Sequence, residues 1–108
     1  MDATLQLYVT IDHFVIVEWA ERRGAQPSTF EGDERPWPLY FCFGPCSPGL
    51  EGISWDKFFT EFEYANLAFV FRDVGPNGEL DDLHAFVKRA AVPELVTSHR
   101  ATIVERAL

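Results

Sequence analysis

Hydrophobic and polar residues change their period several times along this chain, and each change marks an element. From Thr4 to Ile11 the pattern alternates, with Leu5, Leu7, Val9 and Ile11 against Thr4, Gln6, Tyr8 and Thr10, which predicts a half-buried strand. At Asp12, a good N-cap residue, the period becomes helical. Val15, Ile16, Trp19 and Ala20 fall on one face, Glu18, Glu21 and Arg22 on the other, and Gly24 is placed to end the helix. The β-branched run Val15-Ile16-Val17 could instead prolong the first strand; the spacing favours the helix. Pro27 cannot continue a helix, so Ser28-Thr29-Phe30 is expected as a short strand. After a polar turn-rich segment, Leu39 to Phe43 alternates again and is its expected partner.

The stretch Ile53 to Asp73 is the densest in signals. Ser54 is an N-cap; Trp55, Phe58, Phe59, Phe62 and Ala65 share one helical face against Asp56, Lys57, Thr60, Glu61, Glu63 and Tyr64; Asn66 tolerates the left-handed geometry of a helix stop. Leu67 to Phe71 follows, apolar on both sides, as a central strand covered at least in part on both faces. Gly75-Pro76-Asn77-Gly78 is a turn that should fold it back on a strand within Asp82 to Val87, although Leu83, Phe86, Val87 and Ala90 also recur at helical spacing. From Pro93 onward, Leu95, Val96, His99, Ile103 and Ala107 share a helical face and predict a C-terminal helix, with a strand over Ala101 to Glu105 as the competing reading.

Together these elements predict one α+β domain over residues 1–108, two-layered, with a largely antiparallel sheet and two amphipathic helices on it, in the order β-α-β-β-α-β-β-α. Each half has a helix carrying a tryptophan, Trp19 or Trp55, followed by two strands; this is a similarity of element order without residue-level repetition. A chain of 108 residues with 47% apolar and 15% aromatic residues can bury a core without disulfides or metal. No apolar run reaches the roughly 20 residues that cross a bilayer. The start Met1-Asp2-Ala3-Thr4 has neither the basic nor the apolar region of a secretory signal, so a soluble cytoplasmic protein with reduced cysteines is expected.

Two blocks carry a family resemblance. Ile11-Asp12-His13 with Glu18-Trp19-Ala20-Glu21-Arg22-Arg23-Gly24, and Ser54-Trp55-Asp56-Lys57-Phe58-Phe59 with Leu67-Ala68-Phe69, resemble a family of small, acidic, functionally uncharacterised microbial proteins. The likeness spans roughly residues 11 to 89 and leaves 93–108 as a C-terminal extension; Phe14 to Val17 is more apolar than the family's helix start, and Ala25 stands where it has a second glycine. The resemblance implies a compact cytoplasmic α+β domain and brings no catalytic residues.

Candidate chemistry is sparse. Cys42 and Cys46 flank a Gly-Pro turn, and His13, His84 or His99 could join them around a metal, but there is no second cysteine pair and no short histidine spacing. The spacing is not Cys-x-x-Cys either, so both are expected as ordinary thiols. No nucleophile elbow, phosphate-binding loop or His-Glu-x-x-His helix occurs, so no catalytic residue, metal ligand or cofactor is assigned. Glu61 and Glu63 are expected to be solvated and to point apart.

Nine basic and seventeen acidic side chains give a net charge of -8, which argues against direct nucleic-acid binding; the acidic excess reads first as solubility and, more sharply, as a surface for a basic protein partner. The most suggestive cluster is Glu31, Asp33 and Glu34 beside Trp37 in the polar loop: acid and aromatic together suit such a partner. The expected function is therefore a non-enzymatic protein-binding or regulatory module. The alternative is a small-molecule-binding protein or enzyme with an aromatic pocket of Trp19, Tyr40 and Trp55 between helices and sheet. An exposed edge strand offers a third route, a homodimer.

Overall fold

The computed structural model describes residues 5–30, 32, 39–74, 78–92 and 102–106, the last segment and residues 5 and 6 by their backbone only. The chain runs through β1 (Leu5–Thr10), α1 (His13–Arg22), β2 (Ala25–Phe30), β3 (Leu39–Phe43), β4 (Leu50–Gly52), α2 (Trp55–Tyr64), β5 (Leu67–Phe71), β6 (His84–Lys88), a single 3-10 turn at Arg89–Ala91, and β7 (Thr102–Arg106). The strands form two antiparallel sheets, one in the order β6-β5-β1-β7 and one in the order β3-β2-β4. The α+β class with helices packed on a sheet holds; the single sheet expected from the sequence is two.

Local chemistry explains most boundaries. The Asp12 carboxylate accepts from the Phe14 N–H at 2.9 Å and the Val15 N–H at 3.4 Å, so α1 starts there. That cap resolves the Val15-Ile16-Val17 run in favour of helix. Gly24, at φ 67, and Asn66, at φ 55, terminate the two helices in the left-handed geometry that these residue types tolerate. Pro27 lies inside a six-residue strand, longer than the short one expected. Its carbonyl accepts from the Ile53 N–H at 2.9 Å just past the end of β4, so its missing N–H falls at the end of the ladder and costs little.

β6 is the antiparallel partner of β5, with Phe69 opposite Phe86. β7 pairs antiparallel with β1 over Leu5 to Val9, which corrects the expected C-terminal helix at residues 102–106; residues 93–101 lie outside the described set. An open edge on β1 gains a full ladder of backbone hydrogen bonds from β7, a tertiary stabilisation that helical spacing does not register.

The face of the larger sheet bearing Leu67, Phe69 and Phe71 receives α1, α2 and the inward residues of β3. Phe41 is the hub. Its ring stacks on Phe58 at 5.3 Å and meets Phe69 edge-on at 5.7 Å, Trp19 at 5.8 Å and Trp55 at 5.9 Å. On the opposite face of β5, Ala68 is also fully buried, in keeping with a strand covered on both sides. Among the described residues no helix is long and apolar enough to cross a membrane.

Candidate functional site

Along α2, capped by the Ser54 hydroxyl accepting from the Lys57 N–H at 3.0 Å, Trp55, Phe59 and Glu63 follow one another a turn apart. Phe58 and Phe62, on the adjoining stripe, are fully buried, which leaves Trp55 and Phe59 half-buried along the edge of the core. His13, set at the first position of α1 by the Asp12 cap, lays its ring over Phe59 at 3.9 Å and only 10° from parallel. Phe59 in turn stacks on Trp55 at 5.5 Å and 19°. Three near-parallel rings thus form a row, and Glu63 closes it: its Oε2 lies 2.8 Å from His13 Nε2 and its Oε1 accepts from Arg89 at 3.3 Å.

The row lines an open cleft of about 510 Å³ with Asp56, Thr60 and Glu63. Thr60 donates to the Asp56 carbonyl at 2.9 Å, whereas the Asp56 carboxylate has no ion-pair partner among the described residues. The Asp56 carboxylate beside this row of rings makes the cleft suited to a cation, since ring quadrupoles and its charge act in the same direction, whereas Glu63 is already engaged by His13 and Arg89.

A second cleft, about 260 Å³, has Tyr8, Trp19 and Phe71 as its aromatic wall and Glu18, Arg22 and Asp73 at its rim. Below it a buried guanidinium ties α1 to the β5–β6 connection. Arg23, its side chain 4% exposed, donates to the carbonyls of Trp19 at 2.9 Å, Asp81 at 2.7 Å and Asp73 at 2.6 Å, and lies 4.3 Å from the Trp19 ring centroid. Burial draws its pKa down from the ordinary arginine range, against the opposing pull of Asp73. All three guanidinium nitrogens of Arg23 are engaged, so it acts as a clamp, at the border of a third open cleft of about 500 Å³ shared with Arg22, Phe43, Leu80, Asp81 and Asp82.

The residues expected to form one aromatic pocket are distributed over the fold. Trp19 lines the smaller cleft and Trp55 the larger, with Phe41 touching both. Tyr40 follows the opposite face of β3 and neighbours Phe30 at 5.9 Å. Glu31, Asp33, Glu34 and Trp37 lie outside the described residues, as does His99. His84 sits among Trp19, Phe41 and Phe69, with Nδ1 2.9 Å from the Asp82 carbonyl oxygen. Glu63, expected as a merely solvated acid, instead joins both helices to Arg89. Its spacing of four from Phe59 is present in the sequence, although the expected helical faces set the two on opposite sides; its partner His13, fifty residues away, leaves no such signal.

The two cysteines are joined as a disulfide, which corrects the expectation of reduced thiols. Gly44, at φ 84, and Pro45 reverse the chain between them and bring their α-carbons to 5.6 Å, within bridging range. Fold and clefts together define an α+β domain of two antiparallel sheets with an aromatic–carboxylate cleft along its second helix. Comparison with protein-family models, curated proteins and solved structures gives no match to this chain.

Proposed function

We propose that the protein is a non-enzymatic binding module whose α2 cleft receives a lysine or arginine side chain from a basic protein segment. The observation that carries this reading is the row Trp55–Phe59–His13 with Asp56 and Glu63 at its margins. A cation over such a face gains roughly 0.5–2 kcal/mol per ring contact, depending on desolvation, before the Asp56 carboxylate is counted. The net charge of -8 adds long-range attraction for a basic partner and repels nucleic acid. The acidic residues Glu31, Asp33 and Glu34, with Trp37, are proposed from the sequence as a further contact of the same kind.

Calorimetric titration with short oligo-arginine and oligo-lysine peptides tests the reading. Binding should weaken steadily as salt rises, and Trp55→Ala should lower affinity by about tenfold, equivalent to about 1.4 kcal/mol. Asp56→Asn should weaken binding while lowering the melting temperature only slightly, by the lost charge in the first turn of α2. Binding indifferent to salt and to both substitutions would remove the cleft from consideration.

A further inference from the structure

Cys42 is the fourth residue of β3 and Cys46 stands just beyond the Gly44-Pro45 turn. Three features set their disulfide apart from a structural staple. It closes a single turn of one segment and joins no two elements, while β3 is already held to β2 by its own ladder, with Gln26 opposite Cys42. Its sulfurs are unequal in access: Cys42 is 4% exposed inside the sheet, whereas Cys46 lies in the exposed run from Gly44 to Gly49. The Gly44 carbonyl oxygen stands 3.1 Å from Cys42 Sγ and 3.6 Å from Cys46 Sγ, so a thiol at either position finds an acceptor without rebuilding the loop.

We propose that Cys42–Cys46 is a thiol–disulfide exchange site whose co-reactant is a dithiol. A thiolate of the dithiol attacks Cys46 Sγ, the accessible sulfur; the bond to Cys42 breaks, and its electron pair leaves on Cys42 Sγ, which takes up a proton from solvent and, as a thiol, donates a hydrogen bond to the Gly44 carbonyl. The second thiolate of the co-reactant then attacks its own sulfur in the mixed disulfide. Cys46 leaves as a thiolate and is protonated, and the co-reactant departs as a disulfide. Two electrons and two protons have passed to the protein; in reverse, the protein's dithiol reduces a disulfide. Reactivity is assigned to Cys46 because exchange requires in-line access to the attacked sulfur, which the packed flank of Cys42 denies.

The test uses dithiothreitol as the dithiol probe, on the folded wild-type protein isolated without reductant. After timed exposure the thiols are capped with N-ethylmaleimide and counted by mass. Two caps should appear in the folded protein at a rate within about tenfold of that in the urea-unfolded chain. A folded-state rate lower by about a hundredfold or more would mark a shielded staple and overturn the proposal. So would a protein isolated with two free thiols that oxidised glutathione fails to close. The single variants add direction: with oxidised glutathione, Cys42→Ser, which keeps Cys46, should form the mixed disulfide at least about tenfold faster than Cys46→Ser. Equal or reversed rates would contradict the assigned roles, and the wild-type measurement stands without either variant.

Discussion

Asp81 shows how one side chain ties stability to pH. Burial pushes its carboxyl pKa up, but the Leu83 N–H, bonded at 2.8 Å, and the Arg72 guanidinium, at 2.7 Å, outweigh that, with Arg23 assisting, and hold it below its ordinary value of 3.8. A depressed carboxylate means that the folded state binds fewer protons than the unfolded chain in the acid range. Its contribution is therefore complete above the unfolded pKa and disappears as pH falls through the folded one. Thermal melts of wild type and Asp81→Asn across pH 2 to 7 should differ most near neutrality and converge below about pH 4. A constant gap would mean that the charge is not what stabilises. Residue types and caps of this kind can be read from the chain, but the pairing of Asp81 with Arg72, or of His13 with Glu63, depends on which loops the fold brings together.

Among the elements, α2 was the most legible, because cap, amphipathic stripe and left-handed stop agree over Ser54 to Asn66. Removing the cap hydroxyl in Ser54→Ala should lower stability by about 1 kcal/mol, read from the urea midpoint, with no change in the slope of the transition. A neutral result would mean that solvent satisfies the Lys57 N–H equally well. β6 was legible through the Gly-Pro-Asn-Gly turn signal in the sequence before it, which decided against the competing helical spacing of Leu83, Phe86 and Val87. β7 was not. Its residues pair with β1 across almost the whole length of the chain, and a contact of that separation leaves no local period to detect.

For the molecule as a whole, Phe41 joins the two sheets: it is 7% exposed and touches rings from both helices and from β5 and β6. Phe41→Ala should cost about 3–5 kcal/mol by equilibrium unfolding, and Phe41→Leu distinctly less, because the cavity left at such a junction cannot collapse without moving both sheets. A cost near 1 kcal/mol would show that the smaller sheet is only loosely seated. By itself the sequence determined the class of the fold, both helices, their caps, the central strand and its antiparallel return, because each rests on period and capping chemistry within about twenty residues. It also determined the acidic balance, a net charge of -8. Only the tertiary structure decided that the strands divide into two sheets, that the chain's last strand closes on its first, and that Trp19, Tyr40 and Trp55 are dispersed while His13 completes the row on α2. Those outcomes turn on which apolar faces and open strand edges are paired, a competition among distant segments that no local pattern encodes.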